Sequence, residues 1–233
     1  MTRQLRSART RHALIRSAAQ SFDQLGYAQA KLATISAGAG VSTGALHFHF
    51  ETKAAVAAAV EAEASRALCT LSQSVQRKNS QALQALIDAT HVLARLLRQD
   101  VVVRAGFQLN CGALQRPELD LRRQWMDCVR EMLGQAEAQG AVEPGSSLEG
   151  LAAMIVGVTV GFEVLARDDA SWLSHESIAG LWRTLLPRLA ATDTLGRWEP
   201  SGATVLTGGE GAGPAQAGER AIPTPQPQPQ PQL

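Results

Sequence analysis

Residues 31–53 read KLATISAGAGVSTGALHFHFETK, and the expectation for the whole chain is built outward from them. Leu32, Ile35 and Ala39 recur at helical spacing, which gives a short helix with one apolar face. Gly40 stands where that helix has to stop, because glycine alone enters the left-handed cap conformation without a steric cost. Val41 can then tuck into a core. The Ser42 hydroxyl is placed to cap a second helix over residues 43–48, with Ala45, Leu46 and Phe50 available for packing. Helix, glycine turn and capped helix are the sequence form of a helix-turn-helix.

The flanks extend this unit. Residues 9–25 place Leu14, Ile15, Ala18, Ala19, Phe22 and Leu25 on one helical face, and Gly26 ends the run. Residues 1–9 are basic, carry no apolar stripe, and are expected to be loose until they meet a partner. The head is therefore a three-helix unit around Phe22, Ile35 and Leu46. Downstream, Thr52 caps a long helix to about residue 76 with the stripe Val56, Val60, Ala64, Leu68, Leu71 and Val75, long enough to join head to body as a lever. Further helices are predicted over 80–98, 101–109 and 118–139, with Gly112 and Pro117 marking a break. Ser146 and Glu149 spell a capping box for an eighth helix to about residue 165, apolar almost all round and so expected to be buried on most sides. A ninth opens at Ser174 and uses Ile178, Leu181, Trp182, Leu185 and Leu189, with Pro187 bending or shortening it. No strand pattern of any strength is present.

The expected fold class is all-α, with about nine helices. It comprises a helix-turn-helix DNA-binding head over 1–52, a helical body over 53–192, and a disordered Gly/Pro/Gln-rich tail over 193–233. Within that tail Gly208, Gly209, Gly211 and Gly213 lack the preceding strand and following helix of a phosphate loop. The Pro-Gln run reads as a linker, with a docking motif as the alternative.

Apolar residues make up 45% of the 233 and aromatics only 4%, which suits an Ala- and Leu-rich helical protein better than a sheet protein. The net charge of +1 is unevenly divided. Residues 1–53 hold seven basic against two acidic groups, and the remainder 15 against 19. A basic head that meets a polyanion, on a body that does not, is the implied arrangement. No charged-then-apolar leader opens the chain, and no uninterrupted apolar run reaches the ~18 residues of a membrane span, so a cytoplasmic location and no membrane partner are expected. Cys69, Cys111 and Cys128 show no metal spacing and are read as reduced core thiols.

The head resembles the amino-terminal domain of the tetracycline-repressor (TetR) family. The residues that carry the resemblance are Thr10-Arg11, Ala18-Ala19, Phe22, Gly26-Tyr27, Ala39-Gly40-Val41-Ser42, Leu46-His47-Phe48-His49-Phe50 and Lys53. In the body, the run from Val102 to Leu109 and the lone Trp125 look most like the γ-butyrolactone-receptor branch. That resemblance implies a ligand-responsive repressor, controlling antibiotic production, that binds a pseudo-palindromic operator as a homodimer through its last two helices. A small signalling lactone would release it. It also implies no catalytic role and no cofactor.

For DNA, the candidate contacts are Arg9, Lys31, Ser42, Thr43, Gly44, His47, His49 and Lys53, with Arg3 and Arg6 as further backbone or minor-groove residues. The family usually has tyrosine at position 47. Histidine donates to phosphate best when protonated, so pH-sensitive DNA binding is expected. His47 and His49 lie on different helix faces and do not form a metal site. For an effector, the resemblance assigns Trp125 as pocket wall, with ordinary core as the alternative, and Leu86, Thr90, Phe107, Met132, Val156 and Thr159 join it. Val156 departs from the branch, which often has a hydroxyl residue near there; a pseudo-receptor answering to an antibiotic is the alternative it leaves open. Glu163 and His91 are isolated from any Ser-His-Asp order or paired carboxylates, which argues against an enzyme.

Overall fold

The computed structural model describes residues 2–110 and 119–203. Nine α-helices run through them: α1 (Thr2–Gln29), α2 (Leu32–Gly38), α3 (Thr43–His49), α4 (Lys53–Lys78), α5 (Ala82–Gln99), α6 (Val101–Asn110), α7 (Leu121–Ala138), α8 (Leu148–Leu165) and α9 (His175–Leu189). Short 3-10 turns occupy Ala170–Leu173 and Leu195–Arg197. The one β feature among the described residues is an isolated antiparallel bridge between Val142 and Ala190.

The first helix departs from expectation at its start. It begins at Thr2, because the run before Arg9 holds strong helix formers and neither glycine nor proline, so nothing interrupts it. Gly26 (φ 73°, ψ 164°) breaks it as expected, and residues 27–29 form a separate turn beyond. In the helix-turn-helix, Gly40 sits at φ 69°. Its N–H donates to Ala37 O at 3.0 Å and that of Val41 to Ser36 O at 3.0 Å, the paired bonds that close a helix through a left-handed residue. Ser42 Oγ accepts from Ala45 N at 3.1 Å and so starts α3. Thr52 Oγ1 starts α4 in the same way, from Ala55 N at 3.1 Å.

All six expected stripe residues of α4 are buried. Their partners make the head and the lever one structure. Leu14, Phe22, Ile35 and Leu46 share a core with Val56 and Val60 of α4 and with Val102, Ala105 and Leu109 of α6. α6 lies very close to α4: a Cβ on Gly106 would stand 2.5 Å from the Ala64 Cβ. α5, α7, α8 and α9 complete the body around Leu86, Trp125, Met132 and Trp182, each fully buried.

Three further expectations need correction. The eighth helix is capped by Ser147, whose Oγ accepts from Gly150 N at 3.2 Å, one residue later than the capping box suggested. It is also not buried on most sides: Ala152, Ile155, Val156, Thr159 and Glu163 face inward, while Met154, Val164 and Leu165 are 42–46% exposed. By length and composition this helix could cross a membrane. It carries Glu163 ion-paired to Arg122 and Arg167 on its inner face, which ties that face to the protein. Finally, ordered structure continues past 193 to Ala203. Trp198 is buried and its Nε1 donates to Thr194 Oγ1 at 3.2 Å, while Ala203 N reaches Asp88 Oδ1 at 2.9 Å. A single aromatic anchor holds this segment, a signal too sparse for periodicity to report. The readings that concern residues 111–118 and 204–233, Cys111 and the Gly and Pro-Gln runs included, lie outside the described residues.

Candidate nucleic-acid interface and effector core

α3 bares one face. Thr43, Gly44, His47 and Phe48 are exposed on it, at the i, i+4 spacing that groups residues on a helix surface. Phe48 is 80% exposed and lies on the same bared face as Thr43, Gly44 and His47. Sequence reading passed over it because aromatics at a helix end are ordinarily core; its neighbour Phe50 is indeed buried. No atom other than Ser42 Oγ, at 3.9 Å, stands near a Cβ built on Gly44, so the backbone there is open to close approach.

The remaining candidates divide by what already holds them. Arg9 and Lys31 are exposed. The Ser42 hydroxyl is engaged as the helix cap, and Thr43 Oγ1 lies 3.3 Å from Ser36 Oγ, a bond that fixes α3 against α2. His49 is half-buried between the rings of Phe48 and Phe50, at 5.3 and 6.4 Å, so it is a packing residue as much as an outward one. Lys53 Nζ donates to Ala28 O at 3.0 Å and lies 4.5 Å above the Tyr27 ring, pinning the end of α1 to the start of α4. The ammonium keeps two further N–H groups.

In the body the structure brings Trp125 and Thr159 together. The indole Nε1 donates to Thr159 Oγ1 at 2.9 Å, and that hydroxyl donates in turn to Ile155 O at 2.9 Å. Thr90 makes the same construction with a different partner: it accepts from Trp182 Nε1 at 2.7 Å and donates to Ile87 O at 2.7 Å. Sequence reading placed Trp182 in the core without seeing this pairing. Leu86, Phe107, Met132 and Val156 are buried on α5, α6, α7 and α8. Open clefts lie elsewhere, among them a groove of about 700 Å³ lined by α4 and α7 and a cleft of about 300 Å³ lined by Leu97, Arg104, Glu163 and Leu173.

Arg104, read in the sequence only as part of the Val102–Leu109 run, links head and body. Its Nε and Nη2 each lie 2.9 Å from an Asp23 carboxylate oxygen on α1, and Nη1 donates to Leu97 O at 3.0 Å and Arg98 O at 3.2 Å at the end of α5. The Asp23 hydrogen bond holds the guanidinium proton more firmly than usual, against partial burial. The partners are 81 residues apart, so no local pattern could pair them.

A short capped helix, bared toward solvent at the end of a lever that leaves a helical body, defines a helix-turn-helix DNA-binding regulator. Residues 14–60 match the family described as bacterial regulatory proteins, tetR family, and residues 80–190 match the tetracyclin repressor-like C-terminal domain. The crystal structure of a γ-butyrolactone receptor (ArpA-like protein) is similar at 30% identity and a TM-score of 0.71, covering 83% of this chain and 93% of that one. The TetR-family protein CprB from Streptomyces coelicolor, solved in complex with its biological operator sequence, is similar at 30% identity and a TM-score of 0.71, covering 82% and 94%. The A-factor receptor protein of Streptomyces griseus is 29% identical over 223 residues, 95% of this chain and 76% of that protein. The chain belongs to the TetR family of transcriptional regulators, and regulation rather than catalysis is what that family does.

Proposed function

We propose that this protein is a cytoplasmic transcriptional repressor that binds a pseudo-palindromic operator as a homodimer and is released by a γ-butyrolactone-like effector. The observation that carries the DNA half is the bared α3 face of Thr43, Gly44, His47 and Phe48 on a basic head. Thr43 and Phe48 suit thymine methyls and base edges, while Arg9, Lys31, His47 and Lys53 suit phosphates. The outer apolar face of α8, with Met154, Val164 and Leu165 exposed, suits pairing with a second copy of itself. Two heads so paired would reach successive major grooves ~34 Å apart.

For the effector half, the Trp125–Thr159 pair offers a flat apolar wall and an indole N–H that a ligand carbonyl could take over from Thr159 Oγ1. α6 packs on α7, which carries Trp125, and its Gly106 is packed against the lever. α6 also carries Arg104, which holds Asp23 of the head. Movement of α6 therefore cannot leave either the lever or α1 unchanged. Differential affinity of ligand for the shifted state, on the usual scale of ~1–3 kcal/mol, would drive release. Val156, apolar where the branch often has a hydroxyl, supports a second reading in which the effector is an antibiotic rather than a lactone.

The test is release. Candidate lactones are added to the protein–operator complex of wild type and of Trp125→Ala. Release of wild type by one lactone, with Trp125→Ala still bound to DNA and unresponsive, supports the assignment. An operator complex untouched by every lactone refutes the lactone half and leaves the repressor.

A further inference from the structure

Cys69 and Cys128 were expected to be core thiols, yet Cys69 is exposed on α4 and Cys128 is half-buried on α7. The two helices run side by side in the same direction, and their contacts establish the register. Ser65 Oγ donates to Gln124 Oε1 at 2.9 Å, and Gln139 Nε2 donates to Ser80 O at 3.0 Å, so at both ends a residue of α7 or its cap meets the residue 59 positions earlier. One helical turn beyond the Ser65–Gln124 pair, the same register sets Cys69 against Cys128. Each thiol also meets the facing helix directly. Gln124 Nε2 lies 2.9 Å from Cys69 Sγ, Cys128 is hydrogen-bonded to Ser72, and both thiols line the same groove of about 700 Å³. The side chains at 65, 69, 72 and 128 along this seam are all small.

We propose that Cys69 and Cys128 form a thiol pair that a low-molecular-weight disulfide closes, stapling the lever helix to α7. The Cys69 thiolate, open to solvent, attacks the small disulfide, forming a mixed disulfide and releasing one small thiol. Cys128, deprotonated in turn, attacks the Cys69 sulfur, and the second small thiol leaves. Two protein thiols are oxidised and one small disulfide is reduced to two thiols, with no other reactant. Burial raises the Cys128 thiol, with Cys69 and the carboxylates of Glu131 and Asp127 adding to it and the Ser72 bond opposing, so closure accelerates toward alkaline pH. Because α4 carries the reading head, closure confines the element whose tilt the head depends on.

The experiment uses the full chain in a Cys111→Ser background, reduced and then exposed to oxidised glutathione, followed by alkylation and mass spectrometry. Expected is a species about 2 Da lighter that takes up no alkylating agent, yields a linked pair of tryptic peptides 67–77 and 124–130, and returns to two free thiols with dithiothreitol. Cys69→Ser and Cys128→Ser in the same background each keep one reactive thiol and give no linked peptide. A glutathione adduct that persists on Cys69 without closing, a link between two copies of the chain, or two thiols that stay alkylatable would each overturn the proposal.

Discussion

Replacing Gly106 by alanine tests the contact through which α6 and the lever are coupled. The new Cβ would lie 2.5 Å from the Ala64 Cβ, with Leu121 Cδ1 and Val60 O both at 3.6 Å. Two methyl-sized carbons sit comfortably at ~3.5–4.0 Å, so the helices must part by about 1 Å. Neither Cβ can rotate away, since both are fixed to backbone. Overpacking of this kind costs ~1–3 kcal/mol, against which alanine in a helix interior recovers ~0.5–1 kcal/mol over glycine. The net loss lies at about 0–2.5 kcal/mol, or a fall in Tm of up to roughly 10 °C for a chain of this size. A double-mutant cycle separates the clash from propensity. Ala64→Gly alone costs ~1 kcal/mol, but combined with Gly106→Ala it removes the overlapping methyl, so the pair should show ~1 kcal/mol or more of favourable coupling. Urea denaturation of the four proteins measures it. Additive effects, with coupling inside ~0.3 kcal/mol, would mean that α4 and α6 do not pack as described.

Ser42→Ala removes the acceptor for Ala45 N and should destabilise the head by ~1 kcal/mol, read as faster amide exchange in α3 with the body unchanged. Thr159→Val leaves the buried Trp125 indole N–H without its acceptor and should cost ~1–3 kcal/mol in urea, whereas Thr159→Ser should cost less; equal losses would contradict the hydrogen bond. Stability should also depend on His91. Burial, with His175 adding, lowers its pKa in the folded protein below the ordinary 6.5, while the bond to Pro200 and the charge of Asp88 oppose. The unfolded chain thus binds the proton more readily, so this contribution is fully present above about pH 6.5 and is lost as pH falls through that value toward the folded one. Denaturation midpoints should decline from about pH 7.5 to about pH 5.5, and His91→Gln should flatten the decline.

The elements that could be read from sequence are those whose determinants are local. Gly40 needs a left-handed conformation, Ser42 and Thr52 cap within three residues, and the α4 stripe repeats at three and four, so α3 and the lever emerged with boundaries shifted by only a residue or two, whereas α1 begins seven residues before its expected Arg9. What escaped depends on residues far apart. The Asp23–Arg104 bridge spans 81 residues, the Thr90–Trp182 bond 92, and the Trp198–Ala203 segment rests on α5 across 115. α8 misled for a different reason. Uniform apolarity shows that a helix is covered but not by what, and here one face is covered by α7 while the other stands open. Phe48 belongs to the same kind: its composition says core, and only its 80% exposure says interface. The effector residues were read from resemblance, and local chemistry can account only for the Trp125–Thr159 pair among them.

The most direct test of the central claim is a titration of the purified chain against labelled DNA from beside its own gene, with a scrambled duplex of equal length as competitor, across a range of salt. A specific complex of two chains per site, whose affinity falls steeply with salt and is lost in Phe48→Ala and Thr43→Ala proteins that melt normally, is the predicted result. Equal affinity for operator and scrambled DNA at every salt concentration, or no complex at low salt, would contradict it.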